Sequence, residues 1–155
     1  MQRTSTVALI AAGGFTAAVA AILTWRFYGS MTAIPVTVSV TLWLMTAVCV
    51  LLAWRVRDRK EDNGIGQDRS QLNPVTAAQF LVIGKASAWT GAIIGGAYVG
   101  IGSYILPRAG DLVAASGDLP GVAASALGGV ALAAAGLYLE RHCETPPPAD
   151  GEPAG

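Results

Sequence analysis

Lys85 is the residue of this sequence with the clearest chemistry to offer. It lies within the apolar stretch Phe80-Leu81-Val82-Ile83-Gly84-Lys85-Ala86. An ammonium group in a membrane span is costly and marks a functional position. Its depth points to a partner. Lys85 precedes Leu106 by 106 − 85 = 21 residues, and Glu140 follows Pro120 by 140 − 120 = 20. On two antiparallel helices these side chains reach nearly the same level, so Lys85 and Glu140 form a candidate intramembrane polar pair. The competing readings are that Lys85 snorkels to the headgroups or binds anionic lipid heads.

Other reactive groups are few. Cys49 and Cys143 fall at different depths, so a disulfide between them is not expected, and neither belongs to a CxxC pair. His142 is the single histidine, whereas a structural zinc site usually takes four ligands. There is no HExxH, no Walker loop and no histidine placed to serve a serine nucleophile. We therefore expect no enzyme, no metal and no cofactor. Formal net charge is zero, which gives no reason to expect nucleic-acid binding.

These residues sit in a chain of 155 residues that is 53% hydrophobic and 13% charged, about half the charged share of a soluble domain. Charges gather in short stretches separated by apolar runs long enough to cross a bilayer core of about 30 Å. The fold class expected is all-α: a polytopic membrane protein with four transmembrane helices in an antiparallel bundle. The spans cover about 6–25, 35–54, 79–106 and 120–139 within a domain of residues 1–143. A basic loop, 55–73, lies between the second and third spans, and a proline-rich tail, 144–155, should be disordered. The first span is read as retained, because the apolar run continues to Trp25 past the small residues Ala18-Val19-Ala20. Asn73-Pro74 reads as a cap and first-turn proline for a helix that Pro107 stops. Asp118 reads as a cap ahead of Pro120.

The topology rule counts Lys and Arg. Arg55, Arg57, Arg59, Lys60 and Arg69 lie between spans two and three, with Arg3 and Arg141 near the ends, against Arg26 and Arg108 on the other side. Both termini are therefore expected in the cytoplasm, in a plasma membrane. The cluster Arg55, Arg57, Arg59 and Lys60 is a topology determinant with a second use as a lipid-headgroup contact. Trp25, Tyr28 and Tyr104 should mark the outer interface, and Trp54 and Tyr138 the inner one.

Span three carries Gly91-Gly95 and Gly96-Gly100, two GxxxG motifs. Span four offers Gly121, Ser125, Gly129, Ala133 and Gly136. Small residues at this spacing let helix backbones approach closely, so spans three and four should form a tight antiparallel pair. Ile94, Tyr98, Ile101 and Ile105 form the bulky side of span three, expected to face lipid. The small surface exceeds what one pair requires, which raises a docking face for a partner helix.

Taken in order, Tyr28-Gly29-Ser30 before a proline, Asn73-Pro74, Gly84-Lys85-Ala86-Ser87, Tyr98-Val99-Gly100, Leu106-Pro107-Arg108 and Leu139-Glu140 ahead of Cys143 and prolines make the chain resemble a family. It is similar to the uncharacterised four-helix membrane proteins of actinobacteria, a domain of unknown function whose genes tend to lie near folate-biosynthesis genes. The resemblance implies a cytoplasmic-membrane location and carries over no active residues. The reading reached is a non-catalytic accessory or scaffolding protein working through helix–helix contacts. Its partners are the lipid bilayer and a membrane protein or a second copy. The alternative is a small oligomeric transporter or channel.

Overall fold

The structure is a computed structural model that describes residues 4–30, 35–63 and 74–143. It contains α1 (Thr6–Phe27), α2 (Thr37–Asn63), α3 (Pro74–Arg108) and α4 (Val113–Cys143), with a 3-10 turn over Tyr28–Ser30. Each α-helix is long and apolar enough to cross a membrane. The readings made for Arg3, Arg69, the Asn73 cap and the tail 144–155 lie outside the described residues, as do the side chains of Arg59 and Lys60.

Local sequence explains most helix ends. Ser5 caps α1, its Oγ accepting from the backbone N–H of Ala8 at 3.4 Å, so one of the unpaired first-turn donors is answered. Pro74 opens α3, where a missing N–H costs nothing. The turn into α4 is tight: the N–H groups of Asp111 and Leu112 both donate to the Arg108 carbonyl, at 3.0 and 2.9 Å.

Two proline signals mark helix ends less sharply than their sequence positions imply. Pro107 lies just inside α3, one residue before its end. Pro120 lies inside α4, which begins at Val113, so Asp118 is a helix residue rather than a cap. Membrane helices tolerate an interior proline because neighbouring groups re-satisfy the freed backbone. α2 likewise runs on to Asn63, so the basic stretch after Trp54 begins as a helical continuation of the span.

The helices pack side by side in the order α1–α3–α4–α2. The α3–α4 interface is the most extensive. α1 rests on α3, α2 rests on α4, and α2 touches α3 lightly. One buried cluster joins Leu42, Cys49, Ala53 and Val56 of α2 to Leu132, Ala135 and Leu139 of α4. A second gathers Ile105, Ala115 and Val122 near the α3–α4 turn.

These clusters correct one expectation. The bulky side of α3 does not face lipid. Ile105 is fully buried, Tyr98 and Ile101 pack on the second cluster, and Ile94 packs on the first. The cause is α4, whose small residues leave volume that only large partners fill. The exposed large apolar side chains of α3 are instead Val75, Val82, Ile83, Ile93, Val99 and Leu106.

Candidate functional site

α3 carries two small faces, and each holds a different helix. A Cβ on Gly91 would strike backbone atoms of Gly129 and Ala133, one on Gly95 would strike Gly129, and one on Gly84 would lie 2.9 Å from the Glu140 N–H and the Gly136 carbonyl. This first face is the seat of α4. A Cβ on Gly96 would strike Gly13 and Thr16, and one on Gly100 would strike Ala17. This second face is the seat of α1. The two GxxxG motifs therefore serve two neighbours within one chain. The matching signal in span one is Gly13-x-x-x-Ala17, a small pair at the same spacing.

Two polar bridges tie the residues flanking α1 to α4, one at each end of the bundle. At the end bearing the termini, Glu140 is 4% exposed and its Oε1 accepts from the backbone N–H of Thr4 at 2.8 Å. Glu140 Oε2 and Thr4 Oγ1 are buried without a hydrogen-bond partner. At the opposite end, the Tyr28 hydroxyl donates to Asp118 Oδ2 at 3.2 Å. Its ring lies 5.2 Å from that of Tyr104, and Arg108 stacks over Tyr104 at 4.1 Å.

Lys85 is half-buried on α3, one residue beyond the Gly84 that faces the Glu140 backbone. The Glu140 carboxylate accepts from the backbone N–H of Thr4. Thr4 was the residue missed here: a backbone donor just ahead of the first span carries no sequence signal. Arg55 and Arg57 are exposed on the extension of α2. Both cysteines are buried and neither forms a disulfide among the described residues, and the Cys49 thiol donates to the Ser87 hydroxyl at 3.3 Å, tying α2 to α3. His142 Nδ1 lies 2.8 Å from the Tyr138 carbonyl and is bound to its own helix. Among the described residues no three metal-ligating side chains converge.

Between the two bridges α1 and α4 stand apart and share no contact among the described residues. The gap is a groove of about 500 Å³. Gly91, Ala92, Gly95 and Gly96 form its floor, Leu9, Ile10 and Gly14 one wall, and Val130, Ala134 and Leu137 the other. The floor is low because it is built of glycine and alanine.

Four apolar, antiparallel helices with polar ties at both ends define the class: a small polytopic membrane protein of the helix-bundle kind. Residues 9–147 match the family described as "Protein of unknown function (DUF3180)", and the chain belongs to that family. Searches of curated proteins and of solved structures found no match.

Proposed function

We propose that this protein is a non-catalytic accessory or scaffolding component of the cytoplasmic membrane, acting through helix–helix contacts, with both termini in the cytoplasm. The observation that carries this reading is the way α3 is used. Its small faces bring α4 and α1 to backbone contact at Gly91 and Gly96, and this close packing fills the space a water-lined path through these helices would need. What the row leaves available are its flanks. Phe15, Ile22 and Trp25 project from α1, and Val40, Leu44 and Leu51 from α2, all more than half exposed. A partner's transmembrane segment would lie against one of these stripes. Gly91 and Gly96 are committed inside the chain, so substituting them tests folding rather than partnership.

Orientation rests on the basic stretch Arg55–Lys60 at the end shared with both termini. Fusions of a cytoplasm-active reporter to either terminus should be active, and fusions after Arg108 should not. The reverse pattern would overturn the placement.

The function is tested by gentle extraction of the tagged full chain from its source membrane and mass spectrometry of stoichiometric companions. A defined companion lost at least fivefold in Phe15→Ala/Ile22→Ala or in Leu44→Ala/Leu51→Ala, with insertion unchanged, is the expected result. Absence of any stoichiometric companion would sink it.

A further inference from the structure

We infer that the end of the bundle opposite the termini binds the headgroup of a zwitterionic phospholipid, Arg108 holding the phosphate and Asp111 holding a primary ammonium, as in phosphatidylethanolamine. The inference is independent of the scaffolding reading. Its first support is a built platform. The Asp118 carboxylate accepts from the Tyr28 hydroxyl at 3.2 Å, the Tyr28 ring lies 5.2 Å from that of Tyr104, and the Arg108 guanidinium sits 4.1 Å from the Tyr104 ring centroid. Each group steadies the next, so the guanidinium is held in place over the ring. Its N–H donors make no hydrogen bond or ion pair among the described residues. A planar fork of this kind takes a phosphate through two parallel hydrogen bonds.

The second support is the charge beside this platform. Asp111 lies in the turn into α4, and its N–H donates to the Arg108 carbonyl at 3.0 Å. The two side chains are of opposite sign, yet they form no ion pair with each other, and the exposed Asp111 carboxylate has no partner among the described residues. A cation and an anion this near and unpaired match the two charges of a zwitterion. The whole end has the same balance: Arg26 and Arg108 stand against Asp111 and Asp118, a net of 2 − 2 = 0, so its field does not draw an anionic lipid. A primary ammonium can donate to a carboxylate. A quaternary ammonium has no N–H and seeks an aromatic face, and Arg108 already covers one face of Tyr104. Depth agrees. Leu106 is 66% exposed and Val113 90% exposed, so apolar side chains flank the charged pair on both sides and set it where hydrocarbon gives way to headgroups.

The test uses the purified full chain in phosphatidylcholine vesicles carrying a trace of phosphatidylethanolamine, phosphatidylglycerol or phosphatidylcholine spin-labelled on the acyl chain. Electron spin resonance should show a motionally restricted population roughly threefold larger for phosphatidylethanolamine than for either other lipid, the size of effect that one exposed ion pair gives. Asp111→Asn should bring it down to the phosphatidylcholine level, with helix content and elution volume unchanged. Arg108→Gln should do the same. Asp111 is exposed, so its variant decides the matter even where loss of Arg108 loosens the tyrosine stack. Excess inorganic phosphate should leave the phosphatidylethanolamine population intact. Its displacement would mean that free phosphate is the ligand, and would overturn the proposal. Equal association of all three lipids, or an excess for phosphatidylglycerol, would overturn it too. So would a phosphatidylethanolamine excess that survives in folded Asp111→Asn. A missing protein companion would sink the scaffolding reading and leave this result untouched.

Discussion

At the scale of single residues, glycines of one helix type have opposite roles. Gly14 faces open space, whereas a Cβ on Gly91, Gly129 or Gly136 would drive into the backbone of the neighbouring helix. Glycine within a helix costs roughly 0.5–1 kcal/mol relative to alanine. Gly14→Ala should therefore raise stability by up to about that amount. Overpacking a close contact costs about 1–3 kcal/mol, so Gly91→Ala and Gly136→Ala should lower it. Unfolding in mixed micelles with increasing dodecyl sulfate reads both signs, and a loss for Gly14→Ala would contradict this account. Glu140 is a second contrast. Glu140→Leu removes the acceptor of the Thr4 N–H, and an orphaned buried donor costs about 1–3 kcal/mol. The same unfolding assay should show that loss, together with faster amide exchange at Thr4.

Elements show what sequence made legible. Four spans were evident because a bilayer demands about 20 apolar residues and internal pairing of every backbone group, a requirement that leaves little choice. The α3–α4 pair was legible from Gly91, Gly95 and Gly129. The seat of α1 was not, since Gly96-Gly100 fits any small face and nothing local selects Gly13-Ala17 over a second molecule. The bulky side of α3 was misassigned for a related reason: whether Ile105 meets lipid or Ala115 and Val122 depends on where α4 crosses, which periodicity does not encode. The helical continuation of α2 past Trp54 was hidden by a charge-rich composition that suits a loop as well as an exposed helix. This element yields a test of where lipid ends. In a background without Cys49 and Cys143, a water-soluble maleimide should label Asp58→Cys promptly and leave Leu44→Cys, which is 59% exposed, unmodified. Equal labelling would mean that the exposed stripe of α2 faces water.

The whole molecule is a row rather than a ring. α3 and α4 occupy the middle, and the first two helices of the chain end up on opposite flanks. A Cβ on Gly128 would lie 3.2 Å from that of Leu42, near the separation of about 3.5–4.5 Å that a disulfide spans. Gly128→Cys with Leu42→Cys should therefore cross-link α2 to α4 on mild oxidation, visible as a gel shift reversed by reductant. Failure to form in the folded double variant would refute the order. The row also accounts for the surplus of small surface on α3. It was a surplus for one pair and is the right amount for a middle helix with a neighbour on each side.

That row has a consequence for biosynthesis. α1 and α2 leave the ribosome first, yet among the described residues they share no contact. The partner of α1 is α3, and the partner of α2 is α4. Each early helix must wait in the bilayer, singly, until a segment from the second half of the chain arrives. A nascent chain stopped after Asn63 would hold two inserted but unassociated helices, whereas one that reaches Arg108 can already close the Gly13–Gly96 contact. The row is thus complete only once α4 has emerged, and α2, whose main partner it is, waits longer than α1.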